Sequence, residues 1–384
     1  MITDGDLTLP GKSHKPLSHP DTLRPDMPSP DMPSPDMPRP AAQSGGASAW
    51  TAASFDPAAL RWRSPLAESE IVELEDAARS CLASGRPPGN LQASEVTLPT
   101  LGPRLDALRQ ELIDGIGFGV LTGLPVDRHE RDMQAAMFLV VGAHIGRARS
   151  QNAAGHLLGH VRDTGADSAD PGTRIYQTAE RQSFHTDSAD VVGLLCLREA
   201  VEGGDSLVVS AAAIHDRLLA TAPALLSRLF EPIATDRRGE VPPGAKPWFD
   251  IPVFSWYDDR LTVMYQRQYI DSAQRLDGAP RLDDEAVRAL DAFDAAANDP
   301  DLHIAMRLAA GDMQFVHNHS LLHDRTAFVD HAAAGQRRHL LRLWLAVDGD
   351  RALPPAFTQR YGSIAIGDRG GIVTEHTVPT LLLD

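Results

Sequence analysis

Cysteine is nearly absent: Cys81 and Cys196 are the chain's only two. That excludes a disulfide framework and a cysteine-rich metal site, and makes a reducing cytoplasm the expected compartment. Long apolar runs are missing too. No stretch approaches the roughly 18 consecutive apolar residues of a transmembrane helix. The first residues, Met1-Ile2-Thr3-Asp4-Gly5-Asp6, lack the basic and apolar regions of a secretory signal. Basic charge is in deficit, with 36 Lys and Arg against 52 Asp and Glu, a net charge of −16. So acidic a chain repels phosphate backbones, and nucleic-acid binding is not expected. What is present is a hydrophobic fraction of 42% in 384 residues, sufficient for a sizeable core.

The first fifty residues differ from the rest. A five-residue unit repeats between Arg24 and Pro40: Pro25-Asp26-Met27-Pro28-Ser29, then Pro30 to Ser34, then Pro35 to Arg39. Proline removes backbone donors and fixes φ, so residues 1–50 are expected to be a disordered or polyproline-like tail. The alternative is a docking arm for a partner. From residue 51 to 384 no linker interrupts the chain, which predicts a single catalytic domain.

Apolar spacing predicts helices over Ala67–Ala83, Leu101–Ile113, Asp132–Ile145 and Asp283–Ala297. Strands are expected over Gly117–Pro125, Val191–Leu197, Leu207–Val209, Leu261–Tyr265, Met313–Val316 and Leu340–Val347. Val191–Leu197 is continuously apolar, as a strand buried on both faces would be. Helices first, then many strands with a late helical insertion, indicate an α+β fold with a β-sandwich or barrel core.

The chemistry concentrates in Ser183-Phe184-His185-Thr186-Asp187-Ser188. On a strand, alternate side chains share a face, so His185 and Asp187 would point together. A third ligand is available in His317-Asn318-His319-Ser320-Leu321-Leu322-His323, where three histidines compete. Two histidines and a carboxylate make the facial triad of non-haem Fe(II) oxygenases, which leaves positions open for a cosubstrate and O₂. His-x-Asp alone is a weak signal among 15 histidines, and a histidine merely hydrogen-bonded to the aspartate is the plainer reading. Further on, Arg338 and Arg342 share a strand face with Leu340 and Trp344. Half-buried guanidiniums need anionic partners, either a bound carboxylate or the protein's own acids.

These landmarks together resemble one family. Phe184-His185-Thr186-Asp187, Gly203-Gly204-Asp205-Ser206, Gly311-Asp312-Met313, Leu322-His323-Asp324-Arg325-Thr326-Ala327-Phe328 and the Arg337-Arg338-x-x-x-Arg342 run are similar in order and spacing to the Fe(II)/2-oxoglutarate-dependent dioxygenases of the taurine dioxygenase and clavaminate synthase-like group. The resemblance covers roughly residues 110–348. Val161–Gly165 and Tyr176–Thr178 also look like the strands that precede the metal motif in that group.

The resemblance implies a double-stranded β-helix (jelly-roll) core flanked by helices. It implies iron ligation by His185, Asp187 and His323, with His317 and His319 as pocket or supporting residues. Arg338 would clamp the distal carboxylate of 2-oxoglutarate with help from the Ser206 hydroxyl. Arg342 would lie near the other carboxylate or an acidic substrate group. Where the family often has Asn-Asn-Arg, this chain has His317-Asn318-His319, which bears on local substrate contacts. The implied reaction is oxidation, by default hydroxylation, of an unactivated C–H bond of a small molecule such as an amino acid or secondary-metabolite intermediate. Succinate and CO₂ are formed, and cosubstrates are 2-oxoglutarate and O₂. Desaturation, cyclisation and epimerisation use the same ligands. Rival readings are a zinc hydrolase with the same three ligands and a non-enzymatic jelly-roll binding protein. Candidates for substrate contact are Gln151-Asn152, Tyr176-Gln177 and the aromatic cluster Trp248 to Tyr257. The cluster reads equally as a hydrophobic anchor.

Overall fold

A computed structural model describes residues 43–56, 61–84, 91–168 and 173–383. The proline-rich repeat lies outside the described residues. The last residues of the expected tail are described, and they are docked. Ser44 donates to Asp216, and Trp50 is buried, its indole N–H donating to the Ile116 carbonyl (2.7 Å) and its ring packing on Phe55 and Phe118.

The core is two facing sheets, a jelly roll. The larger runs Arg63–Pro65, Phe118–Thr122, Met313–His317, Val191–Arg198, His339–Ala346, Arg147–Ala148, and Leu158–Val161 also pairs with His339–Ala346. The smaller runs His303–Met306, Ser206–Ser210, Leu321–Arg325, Gln182–His185. Period-2 alternation divides the side chains of each strand between two environments. On His339–Ala346, Leu341, Leu343 and Leu345 pack outward against Phe138 and Val141 of the helix Arg131–Ile145. Leu340, Arg342 and Trp344 face inward. On the smaller sheet, Leu207, Val209 and Leu322 pack outward under the helices Ala211–Thr221 and Asp284–Ala297. Val208 and Leu321 face inward, against Val316 and Leu340. The site thus grows from inward-facing positions whose neighbours are apolar.

The expected helices stand at Glu68–Ala83, Leu101–Asp114, Arg131–Ile145 and Asp284–Ala297. The last begins where Asp283 caps the Ala286 N–H (2.7 Å). The helix Ala211–Thr221 was not expected. Its signal is faint because Ser210 closes a strand and caps the helix at once, accepting from the Ala213 N–H, with no loop between. Two expected strands are corrected. Only Val161 of Val161–Gly165 lies in a strand, and Ile175–Gln177 is a single 3-10 turn closed by Thr178 N–H to Ile175 O (3.0 Å).

Candidate active site

His185 and His323 face each other directly across the antiparallel pair formed by Gln182–His185 and Leu321–Arg325. Their ring centroids are 4.2 Å apart. The strand ends at His185, so strand alternation does not place Asp187 as expected. Instead the chain leaves the sheet there and is pinned by two residues, Tyr265 and Asn318. Thr186 donates its N–H to Tyr265 O (2.8 Å) and accepts the Tyr265 N–H on its hydroxyl (3.0 Å). Asn318 accepts the Asp187 N–H (3.1 Å) and donates to Ala189 O (3.0 Å). The Asp187 carboxylate then lies 3.8 Å from His185 Nε2 through one oxygen and 3.8 Å from His323 Nε2 through the other. Donor atoms of all three lie within 4.8 Å of one another, and all three residues are buried.

The protonation states suit ligation. His185 Nδ1–H donates to the Ser183 carbonyl (2.9 Å), which leaves Nε2 as the donor atom toward Asp187. Burial pushes the His185 pKa down, against the pull of Asp187. Burial and the neighbouring His185 take His323 down to about 3. Both rings are therefore neutral at pH 7. Burial opposes ionisation of Asp187, but Arg342, His323, His185 and the Trp344 N–H together hold its carboxyl below the usual range.

A second buried acid–histidine group, Asp190, His319 and Asp350, is also tight enough for a metal. Arg369 already occupies it, donating to Asp190 (2.7 Å) and Asp350 (2.9 Å), so both carboxylates already share a protein cation. His319 donates into this network at Asp190 (2.8 Å), and His317 bonds Asp350 (3.0 Å) and Ser320 (2.7 Å). Neither histidine reaches the first cluster. The intervening Asn318 does, through the backbone of Asp187.

From His185 and His323 a narrow cavity runs between the sheets to Ser206, Arg325 and Arg338, walled by Val161, Leu308 and Leu340. Arg338 is buried, and burial lowers its pKa. It donates one weak bond to Gly204 O (3.3 Å) and stacks on Phe328, while Nη1 has no partner among the described residues. A buried guanidinium donor left open is costly unless an anion completes it. Gly204 makes room for it: φ is +74°, and a Cβ there would stand 2.7 Å from Arg338 Nε. Ser206 also lines the cavity, and its hydroxyl donates to Gln314 Oε1 (2.8 Å). Arg325 shares Phe328 with Arg338, and its Nε is also buried without a partner among the described residues. The sequence reading gave Arg325 no role; the signal was its place two residues from His323 on one strand face.

Arg342 lines this cavity and a second, larger one of about 480 Å³ on the other side of Asp187. Its Nε donates to Gln151 and its Nη1 to Asp187 (3.2 Å). Of the candidates for substrate contact, Gln151, Asn152 and Tyr176 line the larger cavity and Gln177 does not. The aromatic segment does not. Phe249 and Phe254 are core residues, and Phe249 also stacks under Arg360 (5.5 Å). Arg174, Arg238, Tyr269 and Arg360, which the sequence reading did not single out, line the cavity instead.

The family pattern described as "Taurine catabolism dioxygenase TauD, TfdA family" matches residues 84–344. FR-33289 synthase of Streptomyces rubellomurinus is 34% identical over 322 residues, 83% of this chain and 94% of that one. A taurine hydroxylase-like protein, SAT17, of Stachybotrys chartarum is 32% identical over 312 residues, 77% and 78% of the two chains. Among solved structures, asparagine oxygenase in complex with Fe(II), hydroxyasparagine and succinate aligns with a TM-score of 0.58 at 19% identity, covering 82% of this chain and 99% of that one. The non-heme iron oxygenase OrfP with Fe and alpha-ketoglutaric acid aligns at 0.54 and 18%, covering 74% and 93%. At these identities the two structures bear on the fold.

Proposed function

This chain belongs to the TauD/TfdA dioxygenase family, it is an Fe(II)/2-oxoglutarate-dependent dioxygenase acting on a small molecule, and we propose which of its residues do the work. His185, Asp187 and His323 hold the iron. Arg338, with Ser206 beside it, holds the distal carboxylate of 2-oxoglutarate. The observation that carries this reading is one cavity that runs from His185 and His323, two members of the three-donor cluster, to the open Nη1 of Arg338.

Iron(II) with 2-oxoglutarate and O₂ supplies oxidation of an unactivated C–H bond, with succinate and CO₂ as products. The protein's part is ligation, orientation and water exclusion. His185 lines the smaller cavity and Asp187 the larger, so the dicarboxylic acid approaches from the Arg338 side and the substrate from the side lined by Gln151, Asp187 and Trp344. Arg342 and Trp344 keep Asp187 ionised and fixed by donating to the same oxygen. Hydroxylation is the default outcome. Relatives with amino-acid products bound, hydroxyasparagine in one and dihydroxy-L-Arg in another, support an amino acid or a secondary-metabolite intermediate as substrate.

A zinc hydrolase with the same triad leaves the buried, open guanidinium of Arg338 without a purpose. The anaerobic absorption spectrum tests the choice. Fe(II) plus 2-oxoglutarate gives a weak visible charge-transfer band near roughly 500 nm in this ligand set, and His185→Ala abolishes it. A wild-type protein without the band, or a variant that keeps it, refutes the assignment.

A further inference from the structure

The larger cavity is basic in an acidic protein. Net charge is −16, yet Arg174, Arg238 and Arg360 converge on its wall around Tyr269. Arg174 and Arg238 stand 5.3 and 5.4 Å from the Tyr269 ring centroid, and Arg174 donates to the Tyr269 hydroxyl (2.7 Å). Three guanidiniums so close repel one another unless anions neutralise them.

The protein supplies one such anion. Glu240 pairs with Arg174 (2.7 Å). Asp187 is engaged by Arg342 and Asp271 by Arg267. Arg238 and Arg360 have no carboxylate partner among the described residues. Their bonds go to neutral groups: Arg238 to the Ser272 hydroxyl and Thr173 carbonyl (both 3.3 Å), Arg360 to the Ser188 hydroxyl (2.7 Å). Arg238 Nε is buried with no hydrogen-bond partner among the described residues. Burial pushes the Arg360 guanidinium down from its ordinary value, against the pull of Glu240 and Tyr269, and Arg174 adds to the fall.

The cluster is also held at a conformational cost. Arg238 sits at φ +54°, in the left-handed region that non-glycine residues avoid. Asp236 fixes it there by accepting the Arg238 N–H (2.8 Å). Arg360 is braced on Phe249 and tied to Ser188, the residue after Asp187. An anion held here therefore lies on the substrate side of the metal ligands.

We propose that the substrate carries a doubly charged –PO₃²⁻ group, on carbon or on oxygen, gripped by Arg238 and Arg360 with Arg174 and Tyr269 behind them. Two guanidiniums without carboxylates match two negative charges, and the guanidinium fork matches phosphoryl oxygens. A single carboxylate would leave one cation uncompensated. This inference rests on the dioxygenase reading, because it takes this cavity as the substrate side.

The test is calorimetry on the anaerobic protein loaded with Fe(II) and 2-oxoglutarate. The probes are ethylphosphonate and ethyl phosphate, compared with the single-charge analogues propionate and ethanesulfonate. We expect at least one phosphoryl probe to bind about tenfold or more tighter than both comparators, as charge-assisted bidentate pairing implies. The tighter of the two identifies the carbon or oxygen linkage. Arg238→Gln and Arg360→Gln should each remove about tenfold or more of that affinity while the visible band of the loaded protein stays. Should one variant fail to fold, the other still decides. Equal binding of all four probes, or variants that bind like wild type, overturns the proposal and leaves the iron site standing. A wild-type protein without the band refutes the dioxygenase reading instead, and calorimetry, which needs no band, still decides whether these arginines prefer the dianion.

Discussion

Arg342 and Trp344 lie two apart on one strand and donate to the same oxygen of Asp187, at 3.2 and 2.8 Å. The carboxylate proposed to hold iron is thus oriented by a strand of the facing sheet rather than by its own strand, which has already ended at His185. Ligands held by outer hydrogen bonds bind metal more tightly than free ones.

Trp344→Phe removes the shorter of these bonds and keeps the ring. Iron affinity should fall by about 10–100-fold, the usual effect of losing such a partner. Equilibrium dialysis against Fe(II) under nitrogen, with the melting temperature as a fold control, measures it. Unchanged affinity would remove the indole from the site's support.

Arg338→Ala should leave iron content intact and weaken 2-oxoglutarate by about 2–5 kcal/mol, the range for truncating one partner of a buried charged pair. Titration of the visible band with 2-oxoglutarate reads both quantities at once. A normal 2-oxoglutarate affinity would place the carboxylate elsewhere.

Gly204→Ala reaches the same residue indirectly. Its added Cβ meets Arg338 Nε at 2.7 Å, on a backbone at φ +74°. The variant should lose about 1–3 kcal/mol of stability from backbone strain and raise the KM for 2-oxoglutarate. If stability falls and KM does not move, the glycine serves the turn alone.

Acid should destabilise the metal-free protein through His339. Burial, reinforced by Arg131, His160, Arg162 and Arg198, takes its pKa down to about 2, and its Nε2 lies 2.8 Å from His160 Nδ1. An unfolded histidine titrates near 6.5, so below that pH the unfolded chain binds a proton that the native ring refuses. The stability is present above about 6.5 and is lost as pH falls, on the order of 2 kcal/mol for one such group by pH 5. The melting temperature should drop between pH 8 and 5, with a shallower slope in His339→Gln. Equal slopes would assign the acid sensitivity to other groups.

Much of the site was legible because strand alternation is a local rule. Leu340, Arg342 and Trp344 could be assigned to one face without coordinates, and His185 and His323 could be paired through family-like context. Asp187 reached its place by a different route, since Tyr265 and Asn318, distant in sequence, hold the chain after the strand ends. Arg174, Arg238 and Arg360 were illegible for the same reason. They come from three separate segments, and only their convergence on Tyr269 gives them meaning. His317 and His319 carried a metal-like spacing but serve a buried network closed by Arg369, which lies 50 residues beyond His319 in the sequence. Spacing alone cannot separate a ligand from a network member.

Anomalous scattering at the iron edge, from crystals grown anaerobically with Fe(II), tests the central claim most directly, because two buried acid–histidine clusters are available. One peak bounded by His185 Nε2, Asp187 and His323 Nε2, with none at Asp190, His319 and Asp350, is the predicted result. A peak in the second cluster, or none at the first, would contradict it.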